Sequence, residues 1–227
     1  MSHNSFFAKS LRFIGIVLMA LTGGFTLLGG VGTSCVAISP TGFGESMAPL
    51  AKLQWLYILF VLAGITIGVL GIRATIALIK GADKSYRDAL YALIAGVVVG
   101  FVHIFVSRAL RGKSMPVDAV VYTTVLTLVI FLLFKIPAIW QGVDFAKAKA
   151  EKNKPAGGAA AILLGLLTLT IQYTMGPTHT WDNVNYADAF NLSMTGIGIG
   201  LLLLGAAVFV PWRALLLFRR NGMIVKA

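Results

Sequence analysis

The sequence is poor in charge. Only 12% of its 227 residues are Asp, Glu, Lys or Arg, and 58% are hydrophobic, whereas soluble domains carry roughly 25% charged and 45–50% apolar residues. So little charge cannot cover a soluble globule of this size, so lipid is the expected solvent for most of the surface. Cysteine is limited to Cys35. A single thiol excludes an intramolecular disulfide, a CxxC redox pair and an iron–sulfur cluster held by several thiolates of this chain.

Acidic residues number eight, and all fall in connecting segments or at the ends of apolar runs. Coupled carriers usually keep an ionisable group near the bilayer midplane. The missing midplane carboxylate therefore argues against a proton- or sodium-coupled transporter. Histidine occurs only at positions 3, 103 and 179. There is no HExxH, no GxSxG and no histidine pair within one apolar run, so intramembrane hydrolases lack their groups. The alternation expected of a membrane β-barrel is also absent.

What is present is long apolar sequence. Six runs stand out, at about 13–31, 53–72, 89–107, 119–134, 159–175 and 194–210. A helix needs about 20 apolar residues to cross a bilayer. The expected fold is an all-α integral membrane protein, a single polytopic bundle of about six transmembrane helices with no second domain. The first run follows a basic start and precedes small residues and Cys35, a layout shared with lipoprotein leaders. Its length favours a spanning helix instead.

The formal net charge is +11. In a membrane protein this excess reads as topology signals and anionic phospholipid contacts rather than nucleic-acid binding. With a cytoplasmic N-terminus, fifteen of the nineteen Lys and Arg lie inside, and only Lys52, Arg108, Arg111 and Lys113 lie outside. Both termini are therefore expected in the cytoplasm, with the protein in the cytoplasmic membrane of a prokaryote. Arg73, Lys135 and Arg213, with Trp140 and Trp212, read as interfacial anchors. The amphipathic stretch 144–154 places Lys147, Lys149 and Lys152 for contact with anionic phospholipid, and Pro155 with two glycines is expected to break that helix. Arg108, Arg111 and Lys113 oppose the positive-inside trend and mark a contact for lipid phosphate or an acidic partner.

Glycine pairs four apart, Gly64/Gly68, Gly96/Gly100 and Gly196/Gly200, predict close helix packing in lipid. The pattern does not say whether the partner helix is internal or another subunit. Ser-Met pairs in GESMAPL, GKSMPVD and NLSMTGI hint at a threefold hairpin repeat.

Two groups suggest chemistry. His103, beside Gly100, Phe101 and Phe105, suits an axial ligand to a haem or chlorin, and equally a packed helix–helix contact. Thr170, Gln172 and Tyr173, with Thr168 and Thr174, suit a solute path or a quinone-headgroup pocket, and equally hydrogen bonds between helices. No cofactor is required by the sequence. The leading expectation is a non-catalytic accessory or scaffold subunit of a larger multi-subunit, energy-converting membrane complex, with other membrane protein subunits as partners. The alternatives are a small-solute channel or uniporter beside the fifth run, and a pigment- or haem-bearing subunit that uses His103.

Overall fold

A computed structural model describes residues 2–210 apart from Lys149, Asp182 and Tyr186. Helix α1 (Phe6–Ile38) starts at Ser5, whose hydroxyl accepts the Ala8 amide as an N-cap. Two 3-10 turns, Pro40–Phe43 and Ala48–Leu53, lead into α2 (Gln54–Lys80). Gly81 ends α2 and Gly112 ends α3 (Ser85–Arg111), at φ 69° and 68°. A left-handed C-cap of this kind favours glycine. Then follow α4 (Val117–Phe134), α5 (Pro137–Val143), α6 (Ala150–Leu169), α7 (Ile171–Met175), a two-stranded ribbon (β1 Thr180–Trp181, β2 Val184–Asn185) and α8 (Asn191–Phe209).

Five helical segments among the described residues are long and apolar enough to cross a membrane: α1, α2 with its preceding turn, α3, α4 and α8. The run at 159–175, expected as the fifth of six spans, is not one continuous helix. Its helix starts earlier, at Ala150, and stops at Leu169; Thr170 interrupts it before α7. The apolar part of α6 is therefore only about 11 residues, or ~16 Å at 1.5 Å per residue, short of a ~30 Å hydrocarbon core. The helix break expected at Pro155 is also absent, because α6 runs through Pro155, Gly157 and Gly158. Nor does the 144–154 stretch form a surface helix. Phe145 is fully buried beside Phe131 and Phe134, with ring centroids 6.2 Å from each, and this pulls the segment into the core.

Glycines decide how the helices meet, although not only those of the GxxxG pairs. In the α1–α2 hairpin Gly23 faces Gly71 and Gly30 faces Gly64, so a Cβ built on Gly23 would lie 3.0 Å from Gly71 backbone. The α6–α8 hairpin repeats the arrangement, with Gly158 against Gly205 and Gly165 against Gly198; a Cβ on Gly205 would lie 2.7 Å from the Gly158 carbonyl oxygen. In all four helices the two glycines are seven residues apart. Two turns of helix return them to the same face, so each antiparallel pair closes at two points where backbones touch.

Four of the six GxxxG glycines also lie at internal contacts: Gly64 on Gly30, Gly68 on Leu27, Gly96 on Thr124 and Gly100 on Val121. Gly196 and Gly200 do not, because within GIGIG it is Gly198 that faces α6, and among the described residues nothing lies within 4 Å of a Cβ at either flanking glycine.

The basic connections gather at one end of the bundle. Asn153 on α6 donates to the Leu78 carbonyl near the end of α2, and Lys152 reaches the Asn4 side chain before α1. Lys135 lies 4.8 Å over the Trp140 ring and 5.0 Å over Tyr86, an arrangement that suits an interfacial anchor.

Candidate functional site

The residues with the greatest chemical potential cluster at the opposite end, where α2, α3 and the start of α4 meet. His103 is one turn before Ser107 and two before Arg111 on α3, so these side chains form one column. The His103 ring is 9% exposed; it stacks on Phe60 and meets Tyr57 edge-on at 5.3 Å. The Tyr57 hydroxyl pairs with Ser107 at 2.7 Å. Arg111 donates from Nε to the Ser46 carbonyl at 3.0 Å, tying α3 to the loop after α1. The imidazole nitrogens make no hydrogen bond to the described residues. They border a partly open cleft of about 80 Å³ among α1, α2, α3 and α4.

Glycine creates that cleft. Gly29, Gly30, Gly64, Gly96 and Gly100 line it, with Thr26, Thr33 and Thr124 as its hydroxyl groups. Thr33 and Thr124 donate to the carbonyls of Gly29 and Val120, one turn earlier. A smaller void of about 10 Å³ continues the cleft toward Met19 and shares Thr26, Ile67 and Thr124 with it.

The surroundings of His103 are packed closely in this structure. One face of the imidazole is covered by Phe60 at 4.4 Å, and the adjoining cleft of about 80 Å³ is smaller than the ~150 Å³ cavity that admits benzene in an engineered protein. Phe101 and Phe105 are 36% and 69% exposed and do not enclose the ring. Among the described residues no group of three or more His, Cys, Asp or Glu could hold a metal ion.

The basic residues Arg108, Arg111 and Lys113 are partly consumed internally. Arg108 pairs with Asp118 at 3.1 Å and donates to Ser114 at 2.9 Å, and Ser114 in turn donates to Asp118. Asp118 is in the first turn of α4, where a carboxylate also suits the helix dipole. Arg108 is thus a strut between α3 and α4, not a free outward charge. Arg111 and Lys113 have no ion-pair partner among the described residues, and Lys113 is exposed.

Thr170, Gln172 and Tyr173 line neither of the two voids described above. Tyr173 is 75% exposed, and the Thr170 hydroxyl donates to Leu166 and Leu167 of its own helix. Gln172 contributes its backbone carbonyl to the Asn185 side chain. Thr168 is buried, with its hydroxyl donating to Leu164. At the basic end Lys147 pairs with Asp144 at 3.2 Å and Lys152 with Asn4 at 2.7 Å. Lys149, Arg213 and Trp212 lie outside the described residues.

Arg12 gave no functional signal in the sequence. It is 2% exposed, and it donates to the Gly142 carbonyl and twice to the His3 carbonyl. His3 Nδ1 lies 3.3 Å from the same guanidinium. Because arginine can only donate, Nδ1 accepts and the neutral ring carries its proton on Nε2. Burial, and then the nearby Arg12 charge, hold this imidazole below its ordinary 6.5. An arginine immediately before an apolar run reads as a topology signal, and only a tail folded back on it reveals the burial.

Comparison with protein-family models, with curated proteins and with solved structures finds no match to this chain.

Proposed function

We propose that this chain is a non-catalytic structural subunit that joins other membrane protein subunits through α8. One observation carries this reading: α8 is the least covered of the apolar helices among the described residues, with only 11% of its most apolar window buried, and no described residue lies within 4 Å of a Cβ at Gly196 or Gly200. In the other hairpins glycines of this kind are spent on contact with a neighbouring helix. An open glycine face in lipid lets a partner backbone approach closely, which is how helices associate where lipid removes the hydrophobic driving force. The internal polar groups support the same reading. Thr22–Thr127, Tyr57–Ser107 and Arg108–Asp118 bind helix to helix.

The orientation that fits this role has both termini in the cytoplasm of a prokaryotic cell. It is supported by the gathering of basic connections at the end that holds Arg12, Lys135 and Lys152.

The test is native mass spectrometry and native gel migration after extraction in mild detergent. The wild-type chain is expected in a complex larger than itself. Gly196→Leu with Gly200→Leu should release it while leaving helicity and the unfolding midpoint unchanged. A wild-type chain that is monomeric in mild detergent and in crosslinked membranes would overturn the proposal.

A further inference from the structure

The cleft beside His103 has a polar character that the assembly reading does not use. On α1, Thr26 and Thr33 are seven residues apart and so share one face, with Gly29 and Gly30 between them. Thr124 lines the same cleft from α4, and His103 lines it from α3. The imidazole is only 9% exposed, and neither it nor the Thr26 hydroxyl makes a hydrogen bond to the described residues. An imidazole always offers at least one N–H, and a buried donor of this kind is normally satisfied. Thr33 and Thr124 donate to the carbonyls of Gly29 and Val120, but each hydroxyl oxygen keeps lone pairs that accept. Three helices thus supply the donors and acceptors of one small space.

Size then selects the occupant. The cleft of about 80 Å³ is smaller than a cavity for benzene, whereas one buried water needs only about 10–15 Å³ and two to four polar partners. The same measure ends the site at the adjoining void of about 10 Å³, where the Thr22 hydroxyl is already paired with Thr127 at 2.8 Å. Water has a way in. The cleft is partly open and reaches Pro116 and Val117, where the connection from α3 enters α4 at one end of the bundle.

We propose that this cleft is a water site. A small cluster of ordered waters takes the hydrogen bond that His103 offers and bridges the imidazole to the hydroxyls of Thr26, Thr33 and Thr124. The waters join α3 to α1 and α4 at the level where glycines leave their side chains apart. His103 anchors the cluster, and Thr26 marks its inner end. The site stands independently of any partner on α8.

The full chain, isotope-labelled, is reconstituted in perdeuterated phosphatidylcholine and studied by water-edited solid-state NMR, in which magnetisation starts on water protons. At short mixing times the His103 imidazole and the Thr26 side chain should receive signal, and Phe131, fully buried in the core, should receive none. The imidazole signals of His103 are assigned among the three histidines by their loss in His103→Phe. Gly29→Leu should fill the cleft and abolish transfer to both residues. A Cβ at Gly29 meets only Val120, at an ordinary 3.6 Å, so the fold should accept it; Thr33→Leu is the second plug. His103→Phe, whose ring offers no hydrogen bond, should lower transfer to Thr26, and His103→Gln should keep it. A wild-type His103 and Thr26 as dry as Phe131, or transfer unchanged by both plugs, would overturn the site. Transfer to Thr26 that is lost in the plugs but unchanged in His103→Phe would overturn the anchoring role of His103.

Discussion

The His103 ring lies nearly parallel to that of Phe60, with centroids 4.4 Å apart and planes inclined by 18°. The imidazole thereby joins α3 to α2 through a face and leaves its nitrogens at the cleft. Aromatic pairs contribute about 0.5–1.5 kcal/mol beyond the area they bury. His103→Ala should therefore lower the thermal unfolding midpoint in detergent, whereas His103→Phe, which keeps the stack, should leave it close to wild type. Equal losses in both variants would show that the nitrogens rather than the ring face hold the helices together.

The glycines sort into filled and open positions. A Cβ at Gly68 would lie 2.6 Å from the Leu27 backbone nitrogen and Cα, which cannot rotate away. Gly68→Ala should force α1 and α2 apart and cost about 1–3 kcal/mol, the range for overpacking. Gly200→Ala meets nothing within 4 Å among the described residues and should leave the unfolding midpoint unchanged or slightly raised. The comparison is a pair of melting curves, and an equal loss in both would contradict the packing.

Arg12 is the buried cation on which the tail is folded. Arg12→Met would leave the Gly142 and His3 carbonyls without their donor, and hydrogen bonds to charged groups contribute about 1.5–3 kcal/mol each. The loss should appear as a lower unfolding midpoint and as faster proteolysis near the N-terminus. Arg12→Lys, which keeps the charge but not the fork of donors, should fall between Met and wild type.

The docking of His3 should weaken in acid. Its folded-state value lies below the ordinary 6.5, so the released ring takes up a proton before the docked one does. The contribution is complete above pH 6.5 and is lost as pH falls through the window between 6.5 and the depressed value. Titration there places a second cation beside Arg12 and near Lys152, with Asp144 the one opposing charge. On acidification from neutral pH the wild type should lose stability relative to His3→Gln, which does not titrate. Parallel melting temperatures across that range would count against it.

Cys35 offers a direct test of orientation, since it is the single thiol and lies near the end of α1 opposite the basic cluster. A membrane-impermeant maleimide added to intact cells should label it, and Cys35→Ser should abolish the signal. Labelling only after the membrane is opened from the cytoplasmic side would invert the topology.

Much of the architecture was legible before any coordinates. Charge scarcity and long apolar runs announce helices in lipid, because backbone polar groups there must be satisfied within each segment. Hydropathy treats residues 159–175 as one continuous run, whereas the helix is interrupted at Thr170 and starts earlier, at Ala150. The small residues of the α6–α8 contact were visible as letters. Their seven-residue spacing was not the four-residue pattern usually sought, so Gly198 was passed over for its two neighbours. Arg108 looked like a stray charge until Asp118, ten residues later, came within 3.1 Å.

Composition and periodicity thus determined that this protein is helical and lives in a membrane, since transfer free energy depends on residue type and local order alone. Tertiary structure decided which glycines touch, which arginine is buried, and that His103 borders a narrow cleft among four helices. Those outcomes depend on which helix faces meet, and the choice is made by close packing between segments far apart in the chain.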